Sequence, residues 1–209
     1  MPLQNRVAPD GTIVATASRG TMLGNRGGCF HRTDQTLLPR KYASRQWICC
    51  VLEFKNRRRR LMSAGLYTEL FFLDEATALS AGHRPCFECR RDTALRFATL
   101  WNEIGGLAGR AAAPAMDERL HAERIDPRGN KIRHRASVSD LPDGAMVLWQ
   151  NEPKLVSHGR LVTWTFDGYT NAIDVAPERI VEVLTPPSIV AILARGYAPQ
   201  VHGSLVLER

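Results

Sequence analysis

No apolar run in this 209-residue chain approaches the roughly 20 residues that a membrane span needs. Met1 to Asp10 has no continuous apolar core, so no secretory leader is expected there. Together these absences make the cytoplasm the expected location. The five cysteines are odd in number, and their spacing is not that of a small disulfide scaffold. In a reducing compartment, close cysteine pairs are more often metal ligands or redox pairs than staples. There is no internal repeat and no low-complexity tract. Acidic residues are in deficit, 21 against 28 Lys and Arg, for a formal net charge of +7. That surplus favours an anionic partner, of which nucleic acid is the commonest kind.

Hydrophobic content of 44% and charged content of 23% suit one globular core, or one core with a small appendage. Residues 1–46 are rich in Gly, Arg and Thr and offer one short strand, Thr12 to Thr16, followed by loops. Residues 47–54, "WICCVLEF", read as a buried strand, and residues 66–73, "LYTELFFL", as its hairpin partner across the arginine turn. Asp74 suits an N-cap, and Gly82 suits the left-handed position after the short helix. Helices are expected from about Asp92 to Ile104 and over residues 116–125, with 105–115 as a linker. From about residue 136 short strands alternate with Gly, Pro and Asp turn signals. Pro186 and Pro187 then open a final helix that Gly196 closes. The expected class is α+β: an N-terminal zinc-type hairpin and helix module, a helical middle, and a small antiparallel C-terminal sheet with a final helix. The division is 1–104 and 105–209, or one continuous domain.

The segment "HRPCFECRRD" carries the sharpest chemical signal. Thiolates are soft ligands, and the two-residue gap lets Cys86 and Cys89 reach one tetrahedral ion at about 2.3 Å. Arg84, Arg90 and Arg91 favour thiolate over thiol. Further ligands must come from elsewhere, and Cys29, His31, Cys49 and Cys50 are available. Cys29 and His31 share a Gly-rich loop. Cys49 and Cys50 are neighbours on a strand, so at most one of them faces the site. A redox pair would normally open a helix, whereas this pair follows one. His83 reads as a packing residue.

Residues 69–92 carry Phe71-Phe72, Ala78-Leu79, Ala81-Gly82, and Arg84-Pro85-Cys86 with Cys89-Arg90. In order and spacing this resembles the metal-binding domain of Ada-type DNA methylphosphotriester repair proteins. The resemblance implies that Cys86 and Cys89 bind zinc and that the module binds DNA. That family takes its other two ligands, including its methyl acceptor, from an upstream Cys-x-x-x-Cys. Here the corresponding stretch, "NRRRRLMSAGLYTE", holds no cysteine. The resemblance therefore implies a structural zinc in a DNA-related process without placing a methyl acceptor.

Positive charge is concentrated in two places. "SRGTMLGNRGG" sets Arg19 and Arg26 among glycines, where backbone N–H groups and guanidinium forks suit a phosphate. The Gly-Lys-Ser/Thr ending of a Walker loop is missing. Arg57, Arg58, Arg59 and Arg60 form a run on the expected hairpin tip, suited to backbone phosphates. With Arg84 and Arg90 they make up the expected nucleic-acid surface.

A second reading is enzymatic. "DERLHAER" supplies Asp117, His121 and Glu123, which with the cysteine turn contain the parts of a zinc deaminase or another metal-dependent hydrolase. The order is reversed relative to the deaminase signature, and residues two apart on a helix diverge. Asp117 and His121 are one turn apart and can share a face. In the C-terminal part, Trp164 and Phe166 share a strand face that reads mainly as core.

Overall fold

Strand β3 (Met22–Arg26) sits where the sequence suggests only loop, and it organises the first half of the molecule. The computed structural model describes residues 1–56 and 60–205. Its first sheet also contains β1 (Gln4–Val7), β2 (Ile13–Ala15), β4 (Trp47–Val51), β5 (Leu70–Phe72) and β6 (Arg84–Pro85), in the order β2-β1-β5-β3-β4-β6. The expected hairpin between residues 47–54 and 66–73 does not form, because β3 lies antiparallel between β4 and β5. Gly24 makes this insertion possible. A Cβ at that position would lie 2.3 Å from the Ile48 carbonyl oxygen and 2.8 Å from the Phe72 ring. The Gly-rich composition that reads as loop is thus a close-packing requirement inside a strand.

Burial alternates along β3, β4 and β5. Met22, Arg26, Trp47, Cys49, Leu70 and Phe72 are buried, while Leu23, Asn25, Ile48, Cys50 and Phe71 are half-buried on the other face. On the buried side, Val7, Met22, Phe30, Cys49, Leu70 and Phe72 form one apolar cluster with Ala78 and Ala81 of the following helix segment.

That helix, α1 (Glu75–Ser80), is buried along its whole length and starts at the expected cap. The Asp74 carboxylate accepts from Thr77 N at 2.9 Å, and Gly82 ends the turn at φ +86°. Asp74 also accepts from the Tyr169 hydroxyl at 2.7 Å and from His202 N at 2.9 Å. Glu75 accepts from the Tyr197 hydroxyl at 2.5 Å and from Gln200 N at 2.9 Å. A buried carboxylate is costly unless every lone pair finds a donor. Here the donors come from the far end of the chain and lock it onto α1.

Three further helices follow, α2 (Arg91–Ile104), α3 (Ala113–Arg124) and α4 (Pro187–Ala194). The start of α3, with Pro114 in its first turn, lies inside the expected linker. The second sheet is larger than expected. It comprises β7 (His134–Ser137), β8 (Met146–Trp149), β9 (Glu152–Ser157), β10 (Arg160–Thr165), β11 (Gly168–Asp174) and β12 (Ile180–Val183). Its six strands run antiparallel in the order β11-β10-β9-β8-β12-β7. Trp164 is core, and its indole N–H donates to the Thr77 hydroxyl at 2.9 Å. Among the described residues, no helix is long and apolar enough to cross a membrane.

Candidate metal centre

Parallel pairing between β4 and β6 sets Ile48 beside Arg84 and Cys49 beside Pro85, so the next residues, Cys50 and Cys86, fall side by side. Cys86 N donates to the Cys49 carbonyl at 3.0 Å, extending the ladder by one step. The chain then turns. Arg90 N reaches back to the Cys86 carbonyl at 3.0 Å, closing one helical turn that returns Cys89 toward Cys86. As a result the sulfurs of Cys50, Cys86 and Cys89 all lie within 4.8 Å of one another. Sulfurs around one tetrahedral zinc, each at about 2.3 Å, stand about 3.8 Å apart. The three cysteines can hold a metal ion.

The donor set is also electronically suited to a cation. Cys86 Sγ accepts from Glu88 N at 3.4 Å within the turn. Thiol hydrogen bonds from Cys50 and Cys89, helped by those backbone N–H groups, hold the Cys86 thiol well below its ordinary range. Cys50 moves far upward, because its proton is shared with Cys86 and Cys89 and its site is partly buried. The neighbouring thiol protons thus favour the anionic form of Cys86, and a divalent ion would take the place of those protons.

Strand alternation separates Cys49 from this group. It is fully buried on the opposite face, with its sulfur 3.7 Å from Arg90 Nη1, and burial pushes its thiol upward. Cys29 and His31 also stay apart from it. His31 Nδ1 lies 2.7 Å from the Thr68 hydroxyl, and the Cys29 sulfur 3.7 Å from the same ring nitrogen. Among the described residues, the three cysteines are the one group with metal-ligand geometry.

The triad opens into a cleft of about 500 Å³ on the half-buried face of the first sheet. Leu23, Ile48 and Phe71 form an apolar floor, and Asn25, Glu69 and Glu88 add polar groups. A metal held by these three sulfurs would lie beside this cleft, which all three cysteines line.

The enzymatic trio does not gather around this site. Asp117 is buried against Arg84, with Nε to Oδ1 at 2.8 Å and Nη2 to Oδ2 at 2.7 Å. Glu123 accepts from the N–H and hydroxyl of Ser188 at 3.0 and 2.7 Å, and from Arg119 at 2.6 Å. His121 packs edge-on against Tyr42 and lies 3.2 Å from Arg124 Nη2. All three serve to fasten α3.

The expected phosphate-contacting arginines separate into classes. Arg84 and Arg90 turn inward, because each meets a carboxylate in the core: Asp117 for Arg84, and Glu75 for Arg90 at 2.8 and 2.7 Å. Arg26 is also buried, with no such carboxylate partner among the described residues. Arg19 and Arg60 are exposed. Arg57, Arg58 and Arg59 lie outside the described residues. Sequence reading missed the cleft, since its floor requires β3 as a strand. It also missed the environment of Arg26, to which Trp47, Arg124 and Lys131 contribute from distant segments. Compared with protein-family models, curated proteins and solved structures, the chain gives no match.

Proposed function

We propose that this chain is a zinc-binding protein that engages nucleic acid, with Cys50, Cys86 and Cys89 as the zinc ligands. The convergence of those three sulfurs carries the reading. In it zinc is structural, tying β4 to the turn before α2, and its binding energy adds to folding. The net charge of +7 supports an anionic partner. The resemblance of residues 69–92 to Ada-type repair domains supports DNA in particular. Cys50 then stands in for one of the two ligands that those domains take from another position, and no residue is assigned as a methyl acceptor.

One observation favours a second reading, a metal-dependent enzyme: three close cysteines line a cleft, and a metal with three protein ligands would keep an open position, as catalytic sites do. The catalytic groups would then be drawn from the cleft wall, where Glu69 and Glu88 lie, rather than from His121 and Glu123.

Metal analysis and cobalt substitution test both. Purified protein should carry about one zinc per chain, and its cobalt form should show sulfur-to-metal charge transfer. A cobalt spectrum that shifts on adding imidazole or azide indicates an open position and favours the enzyme. An unmoved spectrum favours the structural site. Protein that neither retains zinc nor takes up cobalt overturns the metal reading. Fluorescence anisotropy with labelled DNA, titrated at several salt concentrations, tests the nucleic-acid half. Binding should weaken steeply with salt, and no binding at low salt removes that half.

A further inference from the structure

Among the described residues, Arg26, Arg84 and Arg124 are buried and Arg90 has a buried side chain, and the four fall into two pairs. Arg84 and Arg90 each face a carboxylate through two hydrogen bonds. Arg26 and Arg124, 3% and 0% exposed, have no ion pair among the described residues. Arg26 donates to the Gly11 carbonyl at 2.8 Å and more weakly to the Lys41 carbonyl and His83 Nε2 at 3.4 Å. Arg124 donates to the carbonyls of Gly82 and Arg45 at 2.9 and 2.6 Å, and its Nε has no hydrogen-bond partner. Both guanidinium carbons lie against the ring of Trp47, at 4.0 and 3.9 Å from its centroid. Burying a cation without a counter-charge is costly, and here two are buried around one indole.

Both line a cavity of about 830 Å³, on the other face of β3 and β4 from the cysteines. Lys131 lines it too. Its Nζ donates one of three protons to the Ser80 carbonyl at 2.5 Å, leaving two. The exposed rim adds Arg40, held over the Tyr42 ring at 4.2 Å, together with Arg128 and Arg133. Against this the lining offers one carboxylate, Asp10, whose two oxygens are engaged by the N–H and hydroxyl of Thr12 at 2.9 Å. Burial depresses the pKa of Arg26, Arg124 and Lys131, with repulsion from Arg26 adding to it at Arg124 and Lys131 and Asp10 opposing it at Arg26 and Lys131, so each favours a nearby anion.

We infer that this cavity is a phosphate-binding pocket, taking the phosphate group of a nucleotide or of an oligonucleotide terminus. Guanidinium forks and an ammonium match the several oxygens of a dianionic phosphate better than they match a single carboxylate. The volume lies in the range of small-molecule sites, about 300–1,000 Å³, so it suits a nucleotide-sized group. This deepens the nucleic-acid half of the function proposed above and is independent of the metal.

Calorimetry at low salt with inorganic pyrophosphate, adenosine 5′-monophosphate, and a short oligonucleotide with or without a 5′-phosphate tests the pocket. Pyrophosphate should bind, and a Lys131→Met variant should lose roughly tenfold in affinity, the equivalent of about 1.4 kcal/mol. A variant with the exposed changes Arg40→Glu and Arg128→Glu, which leave the core untouched, should lose at least as much. Preference for the mononucleotide identifies a free-nucleotide site. Preference for the 5′-phosphorylated over the 5′-hydroxyl oligonucleotide identifies a strand end. The pocket is refuted if none of these phosphates binds wild-type protein, or if the rim variant binds them undiminished. Retained binding of the 5′-hydroxyl oligonucleotide alone would sink the pocket while leaving nucleic-acid engagement intact.

Discussion

Cys50 and Cys86 are neighbours because two parallel strands pair one residue earlier, Cys49 with Pro85. The metal centre therefore depends on sheet register. If zinc is bound as proposed, a Cys86→Ser or Cys50→Ser variant should lose it together with thermal stability, since the ion would tie β4 to the turn before α2. Cys49→Ala is the control. It should keep its metal and cost only the packing of a small buried side chain, about 1 kcal/mol. Metal content measured alongside thermal midpoints separates the two. Equal metal in wild type and both serine variants would dismiss the site.

Gly82 couples α1 to the basic cavity. It holds φ +86°, and a Cβ there would lie 2.6 Å from Arg124 Cδ and 2.8 Å from its Cβ. Gly82→Ala therefore meets a backbone penalty and a collision with a fully buried side chain. A loss of about 2–4 kcal/mol in urea unfolding is expected. Gly106→Ala, also at positive φ but with open space around it, should cost only the backbone part, about 1 kcal/mol. Equal losses at the two positions would mean that Arg124 does not pack as described.

Local signals made α1 and the cysteine turn legible. Asp74 as a cap, Gly82 at positive φ and the Cys-x-x-Cys spacing depend on residues a few positions apart. What could not be read depends on partners far along the chain. Strand β3 looks like loop because Gly24 and Gly20 answer to Ile48 and Phe72. Alternation limits the ligand to one of Cys49 and Cys50, and only the pairing with β6 decides for Cys50. Arg84 and Arg90 look like phosphate contacts until Asp117 and Glu75 arrive from other elements. Arg26, Trp47, Arg124 and Lys131 come from four separate segments, so no window of sequence shows their cavity.

The buried pair between Glu75 and Arg90 connects the metal turn to the chain's far end. Glu75 binds Arg90 through both oxygens and also accepts from Tyr197 and Gln200. Glu75→Gln leaves the Arg90 charge buried without a counter-ion, at an expected cost of about 3–5 kcal/mol. Adding Arg90→Met should recover part of that loss, because no uncompensated charge remains. Chemical denaturation of the single and double variants measures this. A double variant as unstable as the sum of its parts would show that the pair contributes as two separate groups.

Lys131 should make stability depend on pH near neutrality. Burial, then repulsion from Arg26, Arg124 and Arg133, outweighs the pull of Asp10 and lowers its folded pKa to about 7. An unfolded lysine titrates near about 10.4. Between those values the unfolded chain holds a proton that the native protein gives up, so stability rises with pH across the window. The penalty is full below pH 7 and gone above about pH 10.4. Urea midpoints from pH 6.5 to 7.5, below the range at about 8.5 where unfolded thiols ionise, should increase in wild type and flatten in Lys131→Met. Saturating pyrophosphate should flatten them too, because an anion beside the ammonium restores its proton. Parallel pH profiles for wild type and the variant would show that Lys131 keeps its charge without help, and the case for a buried cation awaiting an anion would lose that support.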